Sequence, residues 1–123
     1  MDARKTLAIA GALLALATVL GAFGAHALKA HLPADRLQVY ETAVRYHFLH
    51  SLGLLAIGIL LRSMDGELLR WSAILVLAGV ILFSGSLYLL TFGAPRFLGV
   101  VTPIGGLALI GGWILFAVTV LRQ

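Results

Sequence analysis

The sequence predicts an all-α fold: a four-transmembrane-helix bundle of up-down topology, formed by a single domain over residues 1–123. Three observations carry this. Hydrophobic residues make up 61% of the chain and charged residues only 11%, whereas a soluble domain averages about 45–50% apolar and about 25% charged. The apolar residues are gathered into four long runs. Each run reaches, alone or with a short extension, the roughly 20 residues that a helix needs to cross a bilayer.

The first run, TLAIAGALLALATVLGAFG from Thr6 to Gly24, carries no charge and predicts a helix over 5–25. Arg4-Lys5 before it and Ala25-His26-Ala27 after it imitate a secretory signal. The run is longer than the ~7–15-residue core of such a signal, so it reads as a span.

The second run, from Phe48 to Leu61, becomes a span over 42–62 if it starts near Ala43 and takes Arg45 and His47 into the membrane edge. Upstream, Pro33 suits a first helical turn and Asp35 favours the positive end of the helix dipole. Leu37, Tyr40 and Val44 then recur at helical spacing, which predicts an amphipathic extension before helix 2. A helix from Pro33 to Arg62 would be about 45 Å long, more than the ~30 Å hydrocarbon core, so a bend or break is expected near Ala43.

The third run, Trp71 to Ala94, predicts a helix over 70–92, with Asp65 as its N-cap. The fourth, Phe97 to Leu121, predicts one over 102–122, with Thr102 as cap and Pro103 in the first helical position. Phe23-Gly24-Ala25 and Phe92-Gly93-Ala94 close helices 1 and 3 alike, each followed by a proline, Pro33 or Pro103. This hints at a duplicated hairpin.

Small residues mark expected packing faces, because helices in lipid gain most from close backbone approach. On helix 1 these are Ala8, Gly11, Ala15, Thr18, Ala22 and Ala25, with Gly21 beside them; on helix 4 they are Gly105, Ala108 and Gly112.

Orientation rests on the basic residues. Arg4, Lys5, Arg62, Arg70 and Arg122 fall on the side of the termini, and Lys29, Arg36, Arg45 and Arg96 on the other. Arg4-Lys5 flank the first helix, which usually dominates, so both termini are expected in the cytoplasm. The same count leaves no basic patch interleaved with aromatics, so no nucleic-acid partner is expected. The chain has no cysteine, which excludes disulfides and thiolate metal sites.

All four histidines, His26, His31, His47 and His50, fall within one short stretch. His47 and His50 are one turn apart on helix 2. Ser84, Tyr88 and Thr91 form a stripe on helix 3. Counted inward from the expected helix ends at about 1.5 Å per residue, the two sets share a depth. Two polar stripes at one depth should meet inside the bundle, since lipid would leave their donors unpaired. The candidate site is thus an outer-leaflet polar pocket of His26, His47, His50, Ser84 and Tyr88, with the i,i+4 pair Glu41 and Arg45 at its rim.

This pocket can be a hydrogen-bonded network tying helices 2 and 3 together, or His47 and His50 can bind a metal, haem or quinone-like ligand. No HExxH or Glu-x-x-His motif accompanies them. No catalytic residues, cofactor or enzymatic activity are therefore expected, and the first reading is a non-enzymatic accessory or scaffold protein. The bilayer is the expected partner, with a homo-oligomer or larger membrane complex left open.

The stretches GAFGAHALK, YETAVRYHFLHSLGLL, LFSGSLYLL and TPIGGLALIGGW resemble, in order, the family of small membrane proteins known as domain of unknown function 423, whose animal relatives are called transmembrane protein 256. The resemblance implies four spans and a bacterial inner-membrane location, and no chemistry. It rests on Gly21, Phe23, Gly24, His26, Tyr46, His50, Ser84, Gly85, Tyr88, Thr102, Pro103, Gly105, Gly106 and Trp113.

Overall fold

The four apolar runs become four helices in the computed structural model, which describes residues 1–123. They are α1 (Ala3–His26), α2 (Ala34–Leu60), α3 (Glu67–Thr91) and α4 (Val101–Leu121). Each is long and apolar enough to cross a membrane. Short 3₁₀ turns, Leu28–Ala30 and Arg96–Val100, lie in the α1–α2 and α3–α4 connections. α1 packs on α2, α2 on α3 and α3 on α4, so α2 and α3 form the middle of the bundle.

The helix ends differ from expectation in ways the backbone explains. α1 starts early because Asp2 caps it, its carboxylate accepting from the Lys5 amide at 2.8 Å. That hydrogen bond holds the Asp2 carboxyl below its usual range. The cap is therefore present above that range and is released as acid protonates it.

α2 runs unbroken through Ala43, without a break there. No proline interrupts it, and its buried face, Tyr40, Ala43, His47, Ser51 and Leu54, keeps one helical stripe throughout. Twenty-seven residues give about 40 Å of helix. The extra length is taken up by the exposed first turn, Ala34 to Arg36. Pro33 stands one residue ahead, as N-cap.

Asp65 does not cap α3; Gly66 does, at a positive φ of 154° that favours glycine. The Asp65 carboxylate turns instead to Arg70 at 2.9 Å. Nor does Thr102 cap α4. The Arg96–Val100 turn feeds directly into the helix, the Val101 amide bonding the Leu98 carbonyl. Pro103 is then third in the helix, where its missing N–H is still not needed. The Thr102 hydroxyl is free to meet Ser86 of α3 at 2.6 Å.

The two hairpins part company at their matched Phe-Gly-Ala motifs. The first stays inside α1. The second ends α3 in a Schellman motif: Ala94 donates to the Leu89 carbonyl and Gly93 to that of Leu90, with Gly93 at φ 91°.

An apolar core of Ala10, Leu54, Ile57, Leu69, Ala73, Val76, Val80 and Leu109 draws on all four helices. The closest approach is between α3 and α4, through glycine. A Cβ at Gly105 would meet backbone atoms of Leu82 and Phe83, and one at Gly112 would stand 2.8 Å from Val76 Cγ2. Ser72 closes this seam by donating to the Gly112 carbonyl at 2.8 Å. Dispersion and interhelical hydrogen bonds, rather than a hydrophobic drive, hold helices together in lipid.

The expected face of α1 is the wrong one. Ala8, Gly11, Ala15, Thr18, Ala22 and Ala25 are all exposed, and the buried stripe is Thr6, Ala10, Ala17 and Gly24. Helix 1 carries small residues on two faces. The one that packs is fixed by complementary shapes on α2, notably the Tyr40 ring lying against Gly24.

Candidate functional site

Two structures are built around the histidines of α2, one turn apart and directed at different helices. The first is a packed polar layer between α1, α2 and α3. His47, 2% exposed, points its Nδ1 at the Tyr88 hydroxyl 2.8 Å away. Ser84, on the turn before Tyr88, donates to the Ala43 carbonyl at 2.8 Å. Tyr40 sits edge-on to Tyr88, ring centroids 5.6 Å apart, and its hydroxyl donates to the Leu20 carbonyl of α1. The helical stripe that buries Tyr40 and Ala43 thus also places His47 opposite the stripe of Ser84 and Tyr88. The side chains fill this layer themselves. Two buried polar atoms in it lack a protein partner: His47 Nε2 and, one turn on, Ser51 Oγ.

The second structure is a groove between α2 and α4. The Trp113 indole donates to His50 Nδ1 at 3.0 Å. Around this pair stand Tyr46, stacked on His50 with centroids 5.7 Å apart, and Phe83, 4.7 Å from Tyr46. With Gly106, Leu109, Ile110, Ile114 and Ala117 they line an open groove of about 590 Å³. Indole is a donor only. In the neutral His50 ring Nδ1 must therefore accept, and the ring proton rests on Nε2, which makes no hydrogen bond within the protein. The groove combines four ring faces, aliphatic walls and one N–H donor.

The remaining sequence candidates lie elsewhere. His26 does not join the polar layer; it is exposed in the last turn of α1, because the face that carries it turns away from α2. His31 is exposed in the connection. Glu41 and Arg45 are exposed and form no ion pair with each other. They line a small cleft on the α1 side, with Gly21, Gly24 and Tyr40, away from His50 and Trp113. His47 and His50, though one turn apart, engage different partners on different helices. No three His, Asp or Glu side chains come together anywhere as a metal-binding group.

The chain matches the family model described as "Protein of unknown function (DUF423)" over residues 20–106. It belongs to the DUF423 family. It is 42% identical over 120 residues to the UPF0382 membrane protein YwdK of Bacillus subtilis, covering 96% of this chain and 98% of that one. It is 35% identical over 103 residues to the UPF0382 inner membrane protein YgdD of Escherichia coli K12, covering 84% of this chain and 79% of that one. No solved structure matches the chain. For this DUF423 protein the relatives and the four spans agree on an integral membrane protein set in a lipid bilayer.

The groove residues Trp113, Tyr46 and Phe83 were not among the candidates read from the sequence. One signal was available. A tryptophan in mid-span carries an N–H that seeks a partner, and His50 is one of few acceptors in any span. Their meeting across 63 residues of chain depends on how α4 leans over α2, which no local pattern encodes.

Proposed function

We propose that this DUF423 protein is a non-enzymatic accessory protein of the bacterial inner membrane that holds a lipid-soluble, carbonyl-bearing ring compound of the quinone class in the α2–α4 groove. The observation that carries the reading is the Trp113–His50 pair. It locks the His50 tautomer so that Nε2–H is left to donate, and it does so in a groove walled by Tyr46 and Phe83. A planar ring stacks on such walls, its carbonyl oxygen accepts from Nε2–H, and an isoprenoid tail runs along the Ile110 and Ile114 side into lipid. A few convergent polar groups in an otherwise apolar cavity of this size are the usual make-up of a small-molecule site.

The polar layer of His47, Ser84 and Tyr88, one turn away on α2 and directed at α3, is the support. It fixes the rotation of α2 and hence the aim of His50. A metal or haem shared by His47 and His50 finds less support, since both Nδ1 atoms are engaged and the two rings turn to different helices. The same reading has both termini in the cytoplasm, on the strength of Arg4 and Lys5 beside the first helix.

A short-tailed benzoquinone tests the function. In a Trp71→Phe background Trp113 is the only indole, and its fluorescence should be quenched saturably. His50→Phe should weaken this binding about ten-fold, the loss of one hydrogen bond. The analogue lacking carbonyls should quench only linearly. Linear quenching by the quinone itself, equal in wild type and His50→Phe, would sink the reading.

A further inference from the structure

At the end of the bundle that carries the termini, every acidic side chain is already committed. The Asp2 carboxylate caps α1 through the Lys5 amide. Asp65 and Glu67 both bind Arg70, at 2.9 and 3.6 Å. Three arginines there, Arg4, Arg62 and Arg122, form no ion pair, and the first two converge. Arg4, in the first turn of α1, and Arg62, just past the end of α2, line one cleft of about 560 Å³ with Ala3 and Leu7. They come together because Leu7 packs onto Gly58, where a Cβ would stand 2.7 Å from the Leu7 side chain. The glycine lets the two helices close, and the guanidiniums follow.

We propose that this cleft binds the phosphate of an anionic phospholipid headgroup. Guanidinium is the side chain best suited to a phosphate, because its fork of donors matches two oxygens at once. Two of them facing one cleft, neither of them ion-paired, leave local positive charge that Asp2, two residues from Arg4, offsets only in part. The lipid, rather than free phosphate, is favoured by the floor of the cleft. Leu7 is apolar and continues into the exposed flank of α1, so a headgroup held by the arginines has a path for its acyl chains. Lysine and arginine at a membrane surface attract anionic lipid in any case; the cleft turns that diffuse attraction into a located site. It lies at the opposite end of the bundle from the α1–α2 and α3–α4 connections, and it does not depend on the groove having a ligand.

The test uses the full chain in mild detergent and follows lipid binding by native mass spectrometry. Phosphatidylglycerol should bind saturably and phosphatidylcholine only weakly. The double variant Arg4→Gln/Arg62→Gln should lose affinity for phosphatidylglycerol by about thirty-fold, the effect of removing two interfacial cations. Arg96→Gln, at the other end of the bundle, should bind as wild type. Arg4→Lys/Arg62→Lys, which keeps the charge, should recover most of the affinity and guards against a mere folding defect in the glutamine variant. Inorganic phosphate should not compete at concentrations comparable to the lipid. Unchanged phosphatidylglycerol binding in the glutamine variant would overturn the proposal. So would equal binding of phosphatidylcholine, and effective competition by inorganic phosphate would make this a soluble-anion site instead.

Discussion

Trp113 of α4 donates its indole proton to His50 of α2 across 3.0 Å, in the middle of two membrane helices. This is the one side-chain hydrogen bond between α4 and α2, and both its residues line the groove. Interhelical hydrogen bonds in bilayers are worth about 0.6 kcal/mol on average and up to about 2. A double-mutant cycle of Trp113→Phe and His50→Phe should give a coupling energy of about 0.5–2 kcal/mol in detergent unfolding. A coupling near zero would mean that the two rings do not bond in the membrane.

His47 and Tyr88 should behave asymmetrically. Tyr88→Phe leaves a buried imidazole with no partner at either nitrogen, since Nε2 is already unpaired. That single change should cost about 1–3 kcal/mol, the penalty of an orphaned polar group. The double variant His47→Phe/Tyr88→Phe removes both polar groups together and should be no less stable than Tyr88→Phe alone. A double variant that is much worse would show that the pair contributes more than mutual satisfaction.

The glycines separate into tight and open positions. Gly105→Ala pushes a methyl group into the backbone of Phe83, and Gly112→Leu pushes a larger group into Val76 and the Ser72 carbonyl. Each should lower stability by about 1–3 kcal/mol or more, as overpacking does. Gly11→Ala and Gly85→Ala meet nothing within 4 Å and should be neutral or stabilise by up to about 1 kcal/mol through helix propensity. Steric-trap or detergent-unfolding measurements would rank the four. A costly Gly11→Ala would point to a partner on the exposed face of α1.

Gly93 ends α3 with a left-handed backbone, φ 91°. Gly93→Ala should cost about 1–2 kcal/mol, the penalty for placing a Cβ there. The loss should appear first as faster amide exchange at Gly93 and Ala94, whose N–H groups close the Schellman motif. Unchanged protection would mean that the turn finds another conformation at no cost.

Four spans require both ends of the chain on one side of the membrane. Single cysteines introduced at Asp2 and Gln123 should react equally with a membrane-impermeant maleimide, and only after the cytoplasmic face is opened. Opposite accessibility would exclude an even number of spans; equal labelling in intact cells would keep the four spans and invert the orientation.

The sequence by itself determined the number of helices, their approximate limits and the membrane class. Twenty or so uncharged residues in a row have one outcome in lipid, where every backbone N–H and C=O must be satisfied within its own segment. The meeting of His47 with Tyr88 was legible for the same reason: polar atoms at matched depths on adjacent antiparallel helices avoid lipid by facing each other. What only the tertiary structure decided was rotation and lean. Helix 1 offers small residues on two faces, and periodicity cannot say which one packs; Tyr40 against Gly24 does. His26 lies near the polar layer in sequence and outside it in space, because the last turn of α1 carries it to the exposed side. The groove is the clearest case. His50 and Trp113 belong to helices that pack little against each other directly, and their hydrogen bond follows from α4 closing on α3 through Gly105 and Gly112. Lipid supplies no strong force to orient one apolar helix face over another, so shape complementarity between helices made that choice, and shape is a property of the assembled bundle.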